Sequence, residues 1–243
     1  LPAITIREEN GTARVVGKVD RVDGWLHDGK LYLRVVDYKT GKKSFDLAEL
    51  RYGLGLQMLL YLFTLKEEGQ MLFGGHKIVP AGVLYTPARE PMLRCARDTE
   101  PETIEKALKK ELRRSGMVLE DPAVLQAMEH SALESPCYLP IAVKRDGAVT
   151  GSLASAEQLG KLSKYVDHIL HEITQEVFAG NIDADPYART PQQSACTYCE
   201  FASACHFENG CGSDRMEYIK ATKNDEFWQY IDEVNGEGAH ENG

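Results

Sequence analysis

Two aspartates and a lysine near the start of the chain have the residue types and the spacing that phosphodiester hydrolysis needs. Asp37 and Lys39 stand two positions apart at the end of the run VVDYK, and Asp20 ends the run ARVVGKVD. Alternate residues of a strand point to one side, so Asp37 and Lys39 are expected to face the same space. Mg²⁺ usually takes one or two carboxylates from a protein, and a nearby lysine can orient or deprotonate a water. The pattern predicts a Mg²⁺ site on Asp20 and Asp37.

Two further groups extend this hypothesis. The side chain of Tyr38 would face away from Asp37, but its backbone carbonyl remains a hard oxygen ligand for Mg²⁺. Gln57 and Tyr61 are four positions apart on a predicted helix, so they share one face. Each feature also has an ordinary explanation. Asp-x-Lys occurs at many strand ends where both side chains simply reach water, and Gln57 and Tyr61 would fit a polar stripe on a half-exposed helix.

A β-hairpin is predicted to hold the two aspartates. Residues 13–20 and 31–38 are expected to be strands, joined through GWLHDGK, whose Asp-Gly pair is a hairpin turn signal. Asp20 and Asp37 would then lie at the ends of paired strands. Residues 77–86 (KIVPAGVLYT) are expected to form a third strand, in which Pro80 indicates an edge position or an irregular start.

Helical periodicity follows the hairpin. Residues 46–69 are expected to form a helix that Asp46 caps and Gly69 ends, with Gly53 and Gly55 as weak points. The other expected elements are a helix at 101–114, a short strand at 138–144 and a helix at 155–179 with Ser155 and Gln158 as a capping box and Gly180 as its stop. Beyond residue 181 the chain is expected to be irregular coil, ending in a frayed acidic tail.

The composition is that of a soluble globular protein. The 243 residues are 43% apolar and 27% charged, and the formal net charge is −9. No apolar run reaches the length of a membrane span and there is no secretory leader pattern, so a cytoplasmic protein with no membrane partner is expected. An acidic chain does not bind nucleic acid by overall charge, although a local basic groove would still do so. A chain that begins at Leu1 and soon enters a strand is expected to be part of a larger protein.

Four of the six cysteines lie close together near the end of the chain. Cys196, Cys199 and Cys205 follow the spacing C-x2-C-x5-C, which favours Zn²⁺ or an iron-sulfur cluster over disulfides in a chain without a leader. A fourth ligand is not evident, because His206 directly follows Cys205 and would have to fold back, and Cys211 lies in a loose Gly-containing stretch.

The motifs GKVDRVDG, VVDYKTGKK and QMLLY, in this order, resemble the nuclease domain of the PD-(D/E)XK superfamily in its RecB-like branch. The resemblance implies an α/β fold, a restriction-endonuclease-like mixed β-sheet flanked by helices, followed by a C-terminal Cys-rich coil. Val19 stands where the superfamily's name has a proline. The implied active-site residues are Asp20, Asp37, Lys39, Gln57 and Tyr61.

From about residue 12 to 208, the chain is similar to the AddB-type subunits of bacterial AddAB helicase-nucleases. The match includes FDLAELRYGLGLQMLLYL, AGVLYTPA and CTYCEFASACHFE. It implies that Cys196, Cys199 and Cys205 are the last three ligands of a [4Fe-4S] cluster whose first cysteine lies far upstream and is absent from this chain. The remaining cysteines, Cys95, Cys137 and Cys211, would lie outside the cluster.

The resemblance also implies a domain division and a function. Residues 1–208 would form the nuclease domain with its Cys motif at 196–205, and 209–243 a C-terminal tail. The function would be that of a Mg²⁺-dependent DNA exonuclease, paired with an AddA-type helicase-nuclease subunit in double-strand-break processing and recombination repair. Gln57 and Tyr61 would position the scissile strand, and Lys42 and Lys43 would be at most phosphate contacts.

Two other functions are compatible with the same residues. One is a free-standing Cas4-like iron-sulfur exonuclease, which is disfavoured because a complete enzyme should contain its fourth cysteine. The other is a non-catalytic, zinc-stapled DNA-binding or scaffold module.

Overall fold

The computed structural model describes residues 1–241, and the side chains of residues 1–236. Its strands are β1 (Ile4–Glu8), β2 (Gly11–Val15), β3 (Arg21–His27), β4 (Lys30–Lys39), β5 (Lys77–Pro87), β6 (Ser115–Leu119), β7 (Ile141–Val143), β8 (Val149–Gly151), β9 (Leu153–Ala154), β10 (Tyr187–Thr190), β11 (Gln193–Ser194) and β12 (Glu217–Tyr218). Its helices are α1 (Leu47–Arg51), α2 (Gln57–Glu68), α3 (Pro101–Glu111), α4 (Pro122–Met128), α5 (Ala156–Ala179), α6 (Ala202–Cys205) and α7 (Asn224–Glu241).

These elements form two compact units. The first contains Leu1–Thr5, Arg14–Phe45 and Gly55–Val166, and the second contains Ile6–Ala13, Asp46–Leu54 and the chain from Asp167 onward. No helix in the described part of the chain is both long enough and apolar enough to cross a membrane.

A five-stranded mixed sheet is the centre of the first unit, as expected for an α/β fold. Its order is β3-β4-β5-β6-β9, with β4 parallel to β5 and antiparallel to β3. Helix α2 packs on β4 and β5, where Leu33, Val35, Leu59 and Leu62 are buried. A second apolar cluster lies around β6 and α4 and includes Leu84, Val118 and Leu125. The sheet is therefore buried at its middle strands.

The hairpin β3–β4 confirms the predicted turn but not the predicted first strand. Asp28 and Gly29 both have positive φ, 48° and 73°, as a two-residue hairpin turn requires. That turn pairs His27 with Lys30 and therefore brings Arg21 opposite Val36. The prediction of a strand over residues 13–20 is wrong: β2 ends at Val15, and Asp20 lies in the irregular link just before β3.

The predicted helix over residues 46–69 is two helices. Asp46 caps α1, accepting a hydrogen bond from the backbone N–H of Ala48 at 2.9 Å. Gly53 and Gly55 then adopt φ values of 69° and 70°, in the left-handed region that ends a right-handed helix, and α2 begins at Gln57. Pro80 lies in β5 where the register with β4 shifts, so it marks an irregularity and not a sheet edge.

Helix α5 confirms its predicted caps. The N–H of Ser155 donates to Oε1 of Gln158 at 2.9 Å, and the N–H of Gln158 donates to the Ser155 hydroxyl at 3.1 Å. The helix ends at Ala179, and Gly180 follows with a φ of 73°. The expected helix at 101–114 is observed as α3, and the expected strand at 138–144 is observed as the shorter β7.

The second unit has more regular structure than the sequence predicted. Strand β10 pairs with β11 and β12, and α7 packs on α1 with Phe227 and Ile231 buried. Arg189 binds the carboxylates of Asp46 and Glu49 at 2.6 and 2.9 Å. The expectation of a frayed tail is therefore wrong, because α7 spans Asn224–Glu241, whereas most of 182–223 is irregular, as expected, apart from a few short strands and turns; residues 242–243 lie outside the described residues. The domain boundary at residue 208 remains a prediction.

A charge cluster joins the two strands of the hairpin. The carboxylate of Asp23 on β3 accepts a hydrogen bond from Nε of Arg21 at 2.6 Å. It accepts a second one from Nε of Arg34, on β4, at 2.8 Å. Burial alone would raise the pKa of Asp23, but the hydrogen bonds from Arg21 and Arg34 outweigh it and lower that pKa below its usual value. The same hydrogen bond to Asp23 raises the pKa of Arg21. Ionised Asp23 therefore stabilises the folded hairpin.

Replacing this carboxylate should loosen the hairpin. We expect Asp23→Asn to lower the local unfolding free energy by about 1–3 kcal/mol, because two charged hydrogen-bond donors lose an ionised partner. Amide hydrogen exchange over residues 21–36 in the intact protein measures this effect. Because the pKa of Asp23 is lower in the folded state, its contribution is complete above about pH 4 and is lost as the pH falls through the folded value.

The matched control is Glu105→Gln, which removes the carboxylate of the exposed pair with Lys109 on α3. It should leave hydrogen exchange in the hairpin unchanged. Equal exchange in Asp23→Asn and wild type would show that the cluster does not hold the two strands together.

Candidate active site

Asp37 and Lys39 lie together at the carboxyl end of β4. Asp37 is 9% exposed, and Nζ of Lys39 lies 2.7 Å from its Oδ2. The approach does not satisfy the geometry of a hydrogen bond, and no described residue donates one to this buried oxygen. The predicted placement of both side chains on one side of the strand is observed. The Lys39 ammonium is thus the ionic partner of Oδ2 of Asp37.

The neighbouring strand adds an aromatic ring to this strand end. Tyr85 on β5 is paired with Asp37 in the parallel ladder and is buried. Nζ of Lys39 lies 5.7 Å from the centre of its ring, within the range of a cation–π contact. The carboxylate and the ring together restrict where the Lys39 ammonium can lie.

Asp20 approaches the same strand end from the link before β3. Its side chain is exposed, and Oδ2 accepts a long hydrogen bond, 3.4 Å, from the N–H of Tyr38. The carboxylate of Asp20 therefore lies beside the backbone between Asp37 and Lys39. The Tyr38 ring is directed elsewhere, since its hydroxyl accepts a hydrogen bond from Nη1 of Arg21 at 3.0 Å.

Gln57 and Tyr61 share one face of α2, as predicted. Gln57 is the first residue of the helix, and its Nε2 donates to the Tyr61 hydroxyl at 2.8 Å. The Tyr61 ring packs against Gly17, three positions before Asp20: a Cβ at Gly17 would lie 2.5 Å from a ring carbon. The helix that carries the amide and phenol is thus held against the segment that leads to Asp20.

The donor set suits a hard divalent cation. Asp20 and Asp37 offer carboxylate oxygens at one strand end, and the buried Oδ2 of Asp37 lacks a hydrogen bond from any described residue. Oxygen ligands of this kind, supplied by one or two carboxylates, match the preference of Mg²⁺. No group of three or more His, Cys, Asp or Glu side chains among the described residues forms a metal cage. A pair of carboxylates leaves most coordination positions to water, which is how Mg²⁺ is usually bound.

Lys42 and Lys43 lie in a basic cleft that begins at Lys39. The cleft has a volume of ≈ 400 Å³, and its wall is formed by Lys39, Gly41, Lys42, Lys43, Ser44, Tyr85, Thr86, Pro87, Arg89, Lys110, Glu111, Arg113 and Ser115. Lys42 and Lys43 are the two lysines that the sequence predicts as phosphate contacts. The sequence does not predict Arg89 and Lys110 as part of this cleft. Neither belongs to a motif, and only the folded structure brings them next to Lys42 and Lys43.

The cysteine motif lies in the second unit and its thiols are free. Cys196 is half-buried in a 3₁₀ turn, and Cys199 and Cys205 are exposed. Backbone hydrogen bonds order the segment, from Cys199 N–H to the Cys196 carbonyl and from Cys205 N–H to the Phe201 carbonyl. These three side chains do not form a gathered metal site among the described residues.

Residues 3–206 match the PD-(D/E)XK nuclease superfamily. The chain is 32% identical over 236 residues to a subunit of the ATP-dependent helicase/deoxyribonuclease of Ruminiclostridium cellulolyticum, a match covering 96% of this chain and 20% of the relative. Relatives of the same name are 32% identical in Thermoanaerobacter sp. strain X514 (98% of this chain, 21% of the relative) and 34% identical in Clostridium botulinum strain Loch Maree (95% and 20%). The chain thus spans about one fifth of the length of these relatives, and the resemblance drawn from the motifs is confirmed.

The contact between Gly17 and Tyr61 can be tested by a double-mutant cycle. We expect Gly17→Ala to destabilise this part of the fold by about 1–3 kcal/mol, since the new methyl group must displace a packed ring. In a Tyr61→Ala background the same substitution should cost much less, because the obstructing ring is gone. Local hydrogen exchange over residues 14–20 and 57–65 reports both effects. Equal costs in the two backgrounds would contradict the contact.

Proposed function

The chain belongs to the PD-(D/E)XK nuclease superfamily, and from this premise we propose that it is the Mg²⁺-dependent deoxyribonuclease domain of a larger helicase-nuclease subunit, cutting DNA as an exonuclease. The observation that carries the proposal is the grouping at the end of β4. There the buried carboxylate of Asp37 lies 2.7 Å from the Lys39 ammonium, and Asp20 reaches the backbone beside them.

Asp20 and Asp37 would hold the Mg²⁺, with the Tyr38 carbonyl as a further ligand. When bound, the metal would neutralise phosphate charge and make a water more acidic. The chain's own residues would do the rest. Lys39 is restrained by Asp37 and the Tyr85 ring, so its ammonium is placed to orient the attacking water by donating a hydrogen bond to it, and a neutral Lys39 amine at the same place would accept the water's proton. Gln57 and Tyr61, joined by their hydrogen bond, would position the scissile strand, and Lys42 and Lys43 would contact its phosphates.

The proposed setting is a two-subunit machine. The relatives are named as a subunit of an ATP-dependent helicase/deoxyribonuclease, which supports DNA as the substrate and a helicase partner. We propose that this partner is of the AddA type, and that the role is processing of double-strand breaks for recombination repair in the cytoplasm.

We also propose that Cys196, Cys199 and Cys205 are ligands of a [4Fe-4S] cluster in the intact protein. Three free thiols within ten positions of one ordered segment are suitable soft donors for iron, and the fourth would come from outside this chain. The cluster would fix the segment from the 3₁₀ turn at Cys196 to α6, which is largely exposed and short of apolar anchors of its own.

Loss of the Lys39 ammonium should slow strand cleavage. We expect Lys39→Ala in the intact protein to reduce the Mg²⁺-dependent release of nucleotides from linear DNA by about 10²–10⁴-fold, the usual contribution of a positioned acid–base group. Asp37→Asn should be at least as severe because it weakens the metal site. Asp37→Asn should nevertheless retain the wild-type thermal unfolding midpoint, since it removes a buried charge and the Lys39 ammonium left without its partner is 36% exposed and can be hydrated.

Asp98→Asn is the control for this experiment, because Asp98 is an exposed aspartate of the same unit. It should keep full activity. Wild-type rates in Asp37→Asn would overturn the assignment of the site.

The iron-sulfur proposal predicts a specific pattern of metal content. Intact protein purified without oxygen should contain about four iron atoms and four sulfides per chain. Cys199→Ser and Cys205→Ser should each lose most of both, whereas Cys95→Ser and Cys211→Ser should not. One zinc per chain with neither iron nor sulfide would contradict the cluster and favour a zinc staple.

A further inference from the structure

Arg89 is an incompletely satisfied cation on the wall of the basic cleft. It follows β5 by two positions, and its Nη2 lies 3.2 Å from Oε2 of Glu111 at the end of α3. Its Nε is buried and no described residue accepts a hydrogen bond from it. The hydroxyl of Thr86, also on the cleft wall, is buried without a described partner as well. Both of these donors are enclosed by the fold, so Nη2 is the atom through which Arg89 forms its described ion pair.

The charge of the cleft is opposite to that of the chain. Its lining carries six basic residues, Lys39, Lys42, Lys43, Arg89, Lys110 and Arg113, whereas the whole chain has a net charge of −9. Arg113 is committed to the fold, since its guanidinium binds the backbone carbonyls of Leu139 and Ile141. Among the lining residues, all within the described part of the chain, Glu111 alone is acidic.

Glu111 is shared by two of these cations. The same oxygen, Oε2, lies 3.2 Å from Nη2 of Arg89 and 3.7 Å from Nζ of Lys42. Lys42 is 78% exposed, so it contributes little to holding Glu111, and the pair with Arg89 is the closer one. Arginine and lysine bind carboxylates and phosphates by the same kind of charge-assisted contact.

We propose that Arg89 and Lys42 bind the backbone phosphate adjacent to the scissile one on the DNA strand, and that Glu111 occupies this site until the strand displaces it. The inference rests on the proposed nuclease function. It adds to that function a strand-binding residue, Arg89, and a residue that lowers the affinity for the strand, Glu111. A nonbridging oxygen of that phosphate would accept a hydrogen bond from Nη2 in place of Glu111, giving a charge-assisted arginine–phosphate contact.

The position of the cleft gives this contact a role. Lys39 lies at Asp37 and also forms part of the cleft wall, so a strand whose scissile phosphate is at Asp37 continues past Lys42 and Arg89. A strand that must advance after each cut needs phosphate contacts that release quickly. Competition from Glu111 provides this, because the cations regain an ionic partner when a phosphate leaves.

The experiment measures binding of a fluorescent single-stranded oligonucleotide to the intact protein, with Ca²⁺ replacing Mg²⁺, at a series of salt concentrations. Arg89→Gln should weaken binding about tenfold and should reduce the slope of log K against log salt by about 0.7, the value for one phosphate contact on a single strand. Glu111→Gln should bind more tightly than wild type. Arg97→Gln, the same change at an exposed arginine outside the cleft lining, should match wild type.

The outcomes separate this inference from the proposed function. If wild type degrades DNA but Arg89→Gln keeps the wild-type affinity and slope, the phosphate site is wrong and the nuclease assignment stands. Unchanged or weaker binding by Glu111→Gln, with a wild-type unfolding midpoint, would overturn the competing role of Glu111. Binding of inorganic phosphate to wild type but not to Arg89→Gln, with equal oligonucleotide affinity in the two proteins, would show a site for the free anion instead. A wild type without DNA degradation would refute the proposed function.

Discussion

The parallel pairing of β4 with β5 is the constraint on which the site depends. A parallel pair cannot be closed by a tight turn, so the chain between Lys39 and Lys77 must cross back over the sheet, and within the first unit α2, which packs on both strands, makes this crossover. The pairing brings the carboxyl ends of both strands to one edge. Asp37 is opposite Tyr85 there, and both strands then continue into segments that line the cleft. The same crossover delivers Gln57 and Tyr61.

Burial of Asp37 is unfavourable for folding but useful for chemistry. A carboxylate that is 9% exposed loses most of its hydration, and its compensation here is an ion pair with Lys39 and not a set of hydrogen bonds. Such a group contributes little to folding and costs free energy if its partner is lost. The buried apolar residues that precede it, Val35 and Val36, supply the stability that the strand end lacks. Asp23, by contrast, has two arginine partners and serves the fold.

Much of this arrangement was predictable where local chemistry decides the structure. The Asp28-Gly29 turn, the capping box of α5 and the i, i+2 placement of Asp37 and Lys39 follow from rules that act over a few residues. The β-branched residues before Asp20 suggested a strand there, but the position of β3 is set by the Asp28-Gly29 turn. This turn fixes the register of the hairpin and so determines which residues pair with β4. Helix α7 was missed although Phe227 and Ile231 have helical spacing, since the acidic and Gly-containing surroundings resembled a tail. The cleft could not be predicted, because Arg89 and Glu111 are 22 positions apart in the sequence. They meet because β6, which follows α3, pairs antiparallel with β5 and so returns the chain to the end of β5.

The charge distribution bears on how DNA would reach this site. Physiological salt screens both the net charge of −9 and the basic cleft over a Debye length of about 8 Å, so the chain has no net long-range attraction for DNA and the cleft attracts a strand only nearby. A free domain with this distribution captures a strand poorly but holds one that is already in the cleft. The low long-range attraction and the internal competition from Glu111 therefore fit a nuclease to which the strand is delivered, and this is the arrangement that a helicase partner would provide.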